Sequence, residues 1–368
     1  MNQRTRFLGL DVHKETIAVA IAEEGSEPQL HSTIANRPEA VRKLVREVGH
    51  QGVRLVAAYE AGPTGYAVHR QLLQLGVDSR VVAPSLIPRA AGDRVKTDRR
   101  DAVRLARLLR GGDLVPVWIP DDEHEALRDL VRTRADARVD LLRARHRLSK
   151  FLLRRGLVPP PGIKAWSLKH QAWVKSLTFT EPAAEVVFHD YRRQVEAAVE
   201  RVRRLESELT HYAQHSPHLP LIAALQSMRG IALVTAVTIV AEAGDLRRFK
   251  TPGQFMAYTG LVPSEYSSGA STHRGRVTKT GNANLRHVLG EAAHHARHQP
   301  RVQGALKQRQ DGVPQDIVDL SWKAQQRLHL RYRHLSARIG RPKALTAVAR
   351  ELAGFVWALG QRMEAPAA

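Results

Sequence analysis

Residues 6–34, RFLGLDVHKETIAVAIAEEGSEPQLHSTI, decide the fold of the N-terminal part of the chain. Apolar and β-branched residues in this stretch predict three short strands, at 6–10, 16–22 and 29–34. The polar, glycine-containing segment 23–26 predicts the turn between the second and third strands. The chain is therefore expected to open with a meander of three strands.

Helical and strand patterns alternate in the residues that follow. They predict a helix at 38–48, a strand at 54–59, a helix at 65–75 and a strand at 78–82, with another helix after it. Three meandering strands followed by strand-helix units predict a mixed sheet covered by helices. This is the layout of ribonuclease H-like folds.

The composition of the chain points to a polyanionic partner. Its 368 residues include 57 Lys and Arg against 36 Asp and Glu, a formal net charge of +21. A nucleic acid is the commonest polyanion that binds so basic a protein, although a GC-rich genome that favours arginine would also produce a basic chain. The absence of cysteine excludes disulfides, thiolate metal sites and thiol nucleophiles.

No membrane partner is expected from the hydropathy pattern. The longest apolar run, at 231–241, is too short to span a bilayer, and the N-terminus lacks a signal-peptide pattern. A soluble intracellular protein is therefore predicted.

Two long helices with a heptad pattern are predicted in the middle of the chain. The first, at 122–155, is stopped by the triple proline at 159–161, and the second begins at Pro182. The pattern leaves open a hairpin, an oligomerising coiled coil, or an amphipathic pair packed on its own domain. Arg134 interrupts the apolar seam of the first helix.

The C-terminal part is expected to be helical. Residues 225–232 join two predicted helices in the manner of a helix-hairpin-helix motif. The loop at 260–281 is rich in Gly, Ser, Thr and basic residues, which is typical of a binding or catalytic loop on a rigid scaffold. The predicted domains are 1–121, 122–215 and 216–368.

Four acidic residues occupy positions where a ribonuclease H-like fold would bring them together. Asp11 ends the first strand and Glu60 the fourth, and these strands are parallel neighbours in such a sheet. Asp98 and Asp101 share one face at the start of a helix. Carboxylates held this close need cations, and oxygen ligands favour Mg²⁺ or Mn²⁺. Singly, each acid has a simpler explanation as a loop or helix cap.

Basic residues beside both candidate sites predict contacts with nucleic-acid phosphates. Lys96, Arg99 and Arg100 flank the acidic pair, and Arg274, Arg276 and Lys279 follow the serine-rich segment. Glycines in that segment let backbone N–H groups approach a phosphate. A serine there could act as a nucleophile if another group activates it, but composition alone indicates only a phosphate-contacting loop.

Five motifs resemble the DEDD transposases of bacterial insertion sequences, the insertion-sequence family one-ten, which also contains the Piv site-specific DNA invertase. They are GLDVHK, YEAGPTGY, DRVKTDRRDAVRLARLL, FMAYTGLVPSEYSSG and GRVTKTGNANLR. The resemblance covers nearly the whole chain, in order. It departs at Arg229 and Ala232, which replace Pro and Gly of the usual Pro-Gly-Ile-Gly turn.

The resemblance implies an α/β plus all-α fold class. A RuvC-like mixed sheet comes first, then coiled-coil helices with a Pro-rich linker, then a helical transposase domain. It also implies that Mg²⁺-bound Asp11, Glu60, Asp98 and Asp101 cooperate with a serine that forms a phosphoserine link to DNA. That serine precedes the glycine of a Tyr-x-Ser-Gly pattern and is here Ser268. Ser267 occupies the variable position of the same pattern.

The resemblance further implies the partners of a recombinase. These are double-stranded donor and target DNA, a structured bridge RNA that pairs with both, and further copies of the chain in a dimer or tetramer. Asn282 and Arg286 of the last motif join the predicted nucleic-acid contacts. A bacterial cytoplasmic, nucleoid-associated location follows.

Two other functions remain as alternatives. One is a RuvC-like nuclease in which water attacks the DNA and Ser268 only contacts phosphate. The other is a nucleic-acid-binding protein without catalysis, against which the four intact acids argue.

Overall fold

The computed structural model describes residues 4–50, 52–88, 97–269 and 271–363. The chain divides into two compact units, residues 1–119 and 120–368. Within the described ranges, no helix is both long and apolar enough to cross a membrane.

The first unit alternates strands and helices in the predicted order. Its elements are β1 (Arg4–Val12), β2 (Thr16–Glu23), β3 (Gln29–Ala35), α1 (Pro38–Val48), β4 (Val53–Glu60), α2 (Ala67–Gln74), β5 (Asp78–Val82) and α3 (Asp98–Gly111). The predicted strands and helices are confirmed, with boundaries that shift by only a few residues.

These strands form one mixed sheet in the order β3-β2-β1-β4-β5. Strand β2 is antiparallel to both β1 and β3, because short turns join the three. Strand β4 is parallel to β1 and to β5, because helices connect them. The predicted ribonuclease H-like fold class is confirmed.

Helices cover both faces of this sheet. On one face, apolar residues of α1 and α2 pack on β1, β2 and β4. On the other face, α3 packs on small residues, among them Ala18, Ala20 and Ala22 of β2. A Cβ atom at Gly9 of β1 would overlap the carbonyl oxygen of Ala102 and the backbone nitrogen of Ala106, so only glycine permits this close approach.

The second unit is mostly helical. Its elements are α4 (Asp122–Arg154), α5 (Leu168–Lys175), α6 (Pro182–His215), α7 (Leu219–Gln226), α8 (Leu233–Ala243), α9 (Pro252–Tyr258), β6 (Pro263–Glu265), β7 (Arg274–Val277), α10 (Ala283–Ala293), α11 (Ala305–Gln310), α12 (Gln315–Ile339) and α13 (Arg341–Gly360). The short antiparallel pair β6–β7 was not predicted, since its strands lie in the loop expected at 260–281.

Helices α4 and α6 pack against each other along the predicted seam. Ala137, Leu141 and Leu148 of α4 are buried with Val195 and Val202 of α6. Arg134, which interrupts the seam, forms an ion pair with Glu206 of α6. The two helices thus pair within one chain, and their role in oligomerisation stays a prediction.

Helix α8 lies at the centre of the C-terminal core. Its residues from Ala236 to Ala243 are all buried, and α7, α10 and α4 pack around it. The α7–α8 turn contains Gly230, whose φ of 90° suits glycine. The predicted helix pair is present here, whereas its binding to DNA and the predicted domain boundaries at 121 and 215 stay predictions.

Candidate metal centre and serine hairpin

Strands β1 and β4 place two of the predicted acids side by side. In the parallel register, Leu10 of β1 lies opposite Tyr59 of β4. Asp11 and Glu60 are the next residues on these strands, so both side chains lie at the same end of the sheet. The parallel pairing that the sequence predicted is therefore what brings these carboxylates together.

Helix α3 brings the other two acids to the same place. Its N-cap is Thr97, whose hydroxyl oxygen accepts a hydrogen bond from the backbone N–H of Arg100. Asp98 begins the helix and is exposed, whereas Asp101 is buried and pairs with the Arg104 guanidinium at 3.0 Å. Both carboxylates lie in the first turn, where the helix dipole favours negative charge.

His13 joins the acids, although the sequence analysis did not single it out. Its Nε2 atom lies 3.2 Å from Asp11 Oδ2 and 3.5 Å from Asp98 Oδ1. The Asn36 side-chain amide donates a hydrogen bond to the His13 carbonyl at 2.7 Å and holds this loop in place. A histidine two residues after a strand-ending aspartate was the available signal.

All four acids and His13 line one open cleft of about 910 Å³, which we call the acidic cleft. One ligand atom each from Asp11, His13 and Asp98 lie within 4.8 Å of one another, the spacing of a metal site. Oxygen ligands with one imidazole fit a divalent cation. Glu60 lines the same cleft, and Asp101 does so while paired with Arg104.

The raised pKa of the Asp11 carboxyl suits a position that binds a cation. Burial raises the pKa of its carboxyl, His13 lowers the pKa in part, and the charges of Asp98 and Asp101 raise it further. The net effect is a pKa above the ordinary value. Neighbouring carboxylates repel one another when they are charged, and a bound cation would neutralise that repulsion.

The predicted phosphate contacts near the acidic cleft are only partly described. Arg99 and Arg100 lie on the first turn of α3 and are exposed to solvent. Lys96 lies outside the described residues. Contact of these residues with nucleic acid stays a prediction.

Ser268 lies on the serine hairpin, which we define as β6, β7 and the residues between them. Its backbone N–H and carbonyl pair with those of Ser271, and Gly269 turns the chain with a φ of 58°. Ser268 is exposed, and among the described residues its hydroxyl has no hydrogen-bond partner. The Ser267 hydroxyl, in contrast, donates to Glu265 at 2.8 Å. The two adjacent serines thus differ in that the Ser267 hydroxyl is engaged by a carboxylate and the Ser268 hydroxyl is open to solvent.

The basic residues of the C-terminal motif fall into two groups. Arg274, Arg276 and Lys279 are exposed on or beside β7, where they can reach a phosphate. Asn282 instead caps α10, accepting from the Leu285 N–H at 3.0 Å. Arg286 donates to the carbonyls of Thr259 and Lys279 at 3.0 and 3.2 Å. For these last two, the structure gives an internal role and leaves nucleic-acid binding a prediction.

Glu242 of the core ties helix α4 to the start of α10. This fully buried carboxylate of α8 accepts two hydrogen bonds from Arg132 of α4, at 2.8 and 2.9 Å. It also accepts from the side-chain amides of Asn282 and Asn284, each at 2.7 Å. The network joins α4, α8 and α10. A lone glutamate at the end of an apolar helix was its only sequence signal.

Two family models match the chain. A model of IS110-type DEDD transposases, described as a transposase, matches residues 8–155. A model described as the transposase IS116/IS110/IS902 family matches residues 222–307. The first range contains the acidic cleft, and the second contains the serine hairpin.

The chain is also similar to bacterial transposases over most of its length. It is 40% identical over 361 residues to a Sinorhizobium fredii protein named as transposase y4qE, covering 97% of this chain and 89% of the relative. It is 32% identical over 338 residues to the transposase for insertion sequence element IS1533 of Leptospira borgpetersenii, covering 90% and 97%. A weaker similarity, 24% over 208 residues, relates it to the pilin gene-inverting protein of Moraxella bovis, covering 55% and 53%.

Proposed function

The chain belongs to the IS110 family of DEDD transposases, and from this membership we propose that it cuts and rejoins DNA through a phosphoserine at Ser268. As an insertion-sequence transposase it acts on DNA. The finer proposal adds that divalent metal ions in the acidic cleft assist the serine and that a bridge RNA guides the choice of DNA. The observation that carries it is that one chain contains both a cleft lined by four carboxylates and an exposed serine hydroxyl.

The acidic cleft would hold the metal. Asp11, Asp98 and His13 supply the closest ligand atoms, and Glu60 and Asp101 supply further carboxylates in the same cleft. Bound Mg²⁺ or Mn²⁺ would supply positive charge for the phosphate oxygens in the transition state. The residues of the chain contribute the fixed positions of these carboxylates, which β1, β4 and α3 set.

Ser268 would cut and rejoin DNA in two steps. In the first, its oxygen bonds to phosphorus, the bond from phosphorus to one flanking sugar oxygen breaks, and that oxygen takes up the proton that the serine hydroxyl loses. In the second, a hydroxyl at another DNA end attacks the phosphoserine, and Ser268 recovers a proton as it leaves. The number of phosphodiester bonds is unchanged, which suits recombination without an external energy source.

In the part of the chain that the structure describes, no base contacts the Ser268 hydroxyl to activate it. Ser268 has no histidine or carboxylate partner among the described residues, and the nearby Glu265 is occupied by Ser267 and Arg274. A metal-activated partner site would supply the missing activation. The family resemblance implies active sites shared between copies, and on that basis we propose that the acidic cleft of one copy serves Ser268 of another copy in a dimer or tetramer.

A guide RNA is proposed from family resemblance and agrees with the charge of +21. The test is to sequence RNA that copurifies with the protein. A single structured species would support the guide, and random fragments alone would contradict it.

The phosphoserine is tested with a nicked suicide DNA substrate, which traps a covalent intermediate. With Mg²⁺ we expect a protein–DNA adduct on a denaturing gel, and removal of the metal by chelation should abolish it. Ser268→Ala should also abolish it, because the attacking oxygen is gone. Ser267→Ala is the matched control and should still form the adduct.

Two results would refute the serine mechanism. One is an adduct that persists in Ser268→Ala. The other is cleaved DNA without any adduct, which is the result expected of a RuvC-like nuclease that uses water.

A further inference from the structure

A groove beside the serine hairpin has no role in the chemistry described so far. It is an open groove of about 1260 Å³ within the second unit, between β7 and the facing parts of α12 and α13. We call it the basic groove. Its charged lining residues are Arg274, Arg276, Lys279, Arg331, Lys343, Arg350 and Glu351.

The charge of the basic groove is almost entirely positive. Its six cations are all exposed, whereas its acid, Glu351, is neutralised by Arg327 at 2.6 Å and by Arg331 at 3.6 Å. Three of the cations, Arg276, Lys343 and Arg350, have no carboxylate partner among the described residues. A surface of this kind attracts phosphates at close spacing.

The floor of the groove is apolar. It is formed by the buried or half-buried residues Met256, Leu261, Pro263, Val277, Leu335 and Ala347. A duplex presents phosphates and base edges to a protein, but it buries the faces of its bases in its own stack. An unpaired strand exposes base faces that can lie on an apolar floor while its phosphates contact cations on the rim.

The groove is continuous with the serine hairpin. Arg274 lines the groove, and its Nε atom donates to Glu265 Oε2 at 3.3 Å. The other oxygen of Glu265 accepts from the Ser267 hydroxyl at 2.8 Å. The residue after Ser267 is Ser268, so a strand bound at that serine has the groove as its next positive surface.

We propose that the basic groove holds an unpaired DNA strand next to the phosphate at Ser268, with Arg276, Lys343 and Arg350 as phosphate contacts. The identity of the strand as DNA rests on the proposed function, because the serine joins itself to DNA. The groove keeps the strand beside the serine while its other end is exchanged.

The charges favour a nucleic acid over a protein in the groove. An apolar floor could also accept a helix of another polypeptide. The six cations of the groove would then remain without compensating charge unless that helix were strongly acidic. The chain itself carries an excess of 21 positive charges, so a second copy is a poor occupant.

The test compares two variants that lose the same charge. The groove variant carries Arg276→Gln, Lys343→Gln and Arg350→Gln, and the control variant carries Arg42→Gln, Arg107→Gln and Arg143→Gln. The control cations are exposed and paired with acids elsewhere. Both variants are made in a Ser268→Ala background and studied without divalent metal, so that binding is measured apart from cleavage.

Binding is followed by fluorescence anisotropy across a salt titration. The probes are one short labelled sequence as single-stranded DNA, single-stranded RNA and duplex DNA. For single-stranded DNA, the groove variant should bind at least about tenfold more weakly, and the slope of log affinity against log salt should fall by about 2, since each lost phosphate contact contributes about 0.7. The control variant should keep the slope, and duplex DNA should be affected less.

Three outcomes would overturn the proposal. The first is an unchanged salt slope for single-stranded DNA in the groove variant. The second is a larger loss for single-stranded RNA than for single-stranded DNA, or an equal or larger loss for duplex DNA. The third is a changed sedimentation coefficient with unchanged DNA binding, which would make the groove a contact between copies. Because metal and Ser268 are absent from the assay, none of these outcomes depends on whether the phosphoserine forms.

Discussion

Glu242 connects the core of the second unit to the start of α10. Burial by itself raises the pKa of this carboxyl, but hydrogen bonds from Arg132, Asn282 and Asn284 and the charge of Arg132 together lower the pKa below its ordinary value. A carboxylate that is fully buried yet charged must be held by such partners. Its partner Asn282 is at the same time the cap of α10.

Glu242→Gln should lower the free energy of unfolding by about 2–3 kcal/mol near neutral pH, because a buried charged acceptor of hydrogen bonds from Arg132, Asn282 and Asn284 is replaced by a neutral amide. The folded pKa is below the unfolded value, so the unfolded state binds more protons as the pH falls. The stabilising contribution is therefore present above about pH 4.5 and is lost as the pH falls through the lowered pKa.

Urea unfolding of wild type and variant across the acid range measures this effect. The difference between them should shrink below pH 4.5. Glu200→Gln, on the exposed side of α6, is the control and should change stability by less than about 0.5 kcal/mol. A pH-independent difference would contradict a charged Glu242.

Residue roles were predictable from sequence only where backbone position determines them. Asp11 and Glu60 end neighbouring strands, and this alone places them in one cleft. Asn282 and Arg286 were predicted as phosphate contacts, but the fold gives them partners inside the chain. Those partners lie far away in sequence or are backbone carbonyls, so no local pattern could reveal them.

At the scale of elements, α3 determines whether the acidic cleft is complete. It carries Asp98 and Asp101, and its distance from β1 is set by the absence of a side chain at Gly9. A single carbon added to Gly9 should therefore move two carboxylates of the acidic cleft at once.

Gly9→Ala should destabilise the first unit by about 2–3 kcal/mol, because the added Cβ forces α3 away from β1. It should also weaken Mn²⁺ binding, which electron paramagnetic resonance titration measures. Gly62→Ala serves as the stability control, since its nearest neighbour lies at 3.9 Å and needs no movement. Wild-type stability and Mn²⁺ affinity in Gly9→Ala would contradict this role for the close approach.

Long elements followed from the sequence, whereas the serine hairpin did not. The strands of the sheet and helices α4 and α6 have clear apolar periodicity in the sequence. Strands β6 and β7 have three and four residues in a stretch rich in Gly and Ser, too short for alternation to register. Their pairing sets Pro263 opposite Val277 and Glu265 opposite Arg274, so it joins residues that no local pattern connects.

At the scale of the whole molecule, the two halves of the proposed chemistry lie in separate units. The acidic cleft belongs to residues 1–119, and the serine hairpin belongs to residues 120–368. The family resemblance implied this separation of the acids from the serine. How copies of the chain combine them is a property of the assembly and requires a measurement on the assembly.

The most direct measurement co-expresses two inactive variants, Asp11→Ala and Ser268→Ala, with a size tag on one of them. With suicide DNA and Mg²⁺, neither variant alone should form an adduct. The mixed assembly should form one, with the DNA on the Asp11→Ala polypeptide, because that copy keeps Ser268 and its partner keeps the acids. An adduct formed by Asp11→Ala alone at the wild-type level, or none in the mixture while wild type forms it, would contradict cooperation between the acids of one copy and the serine of another.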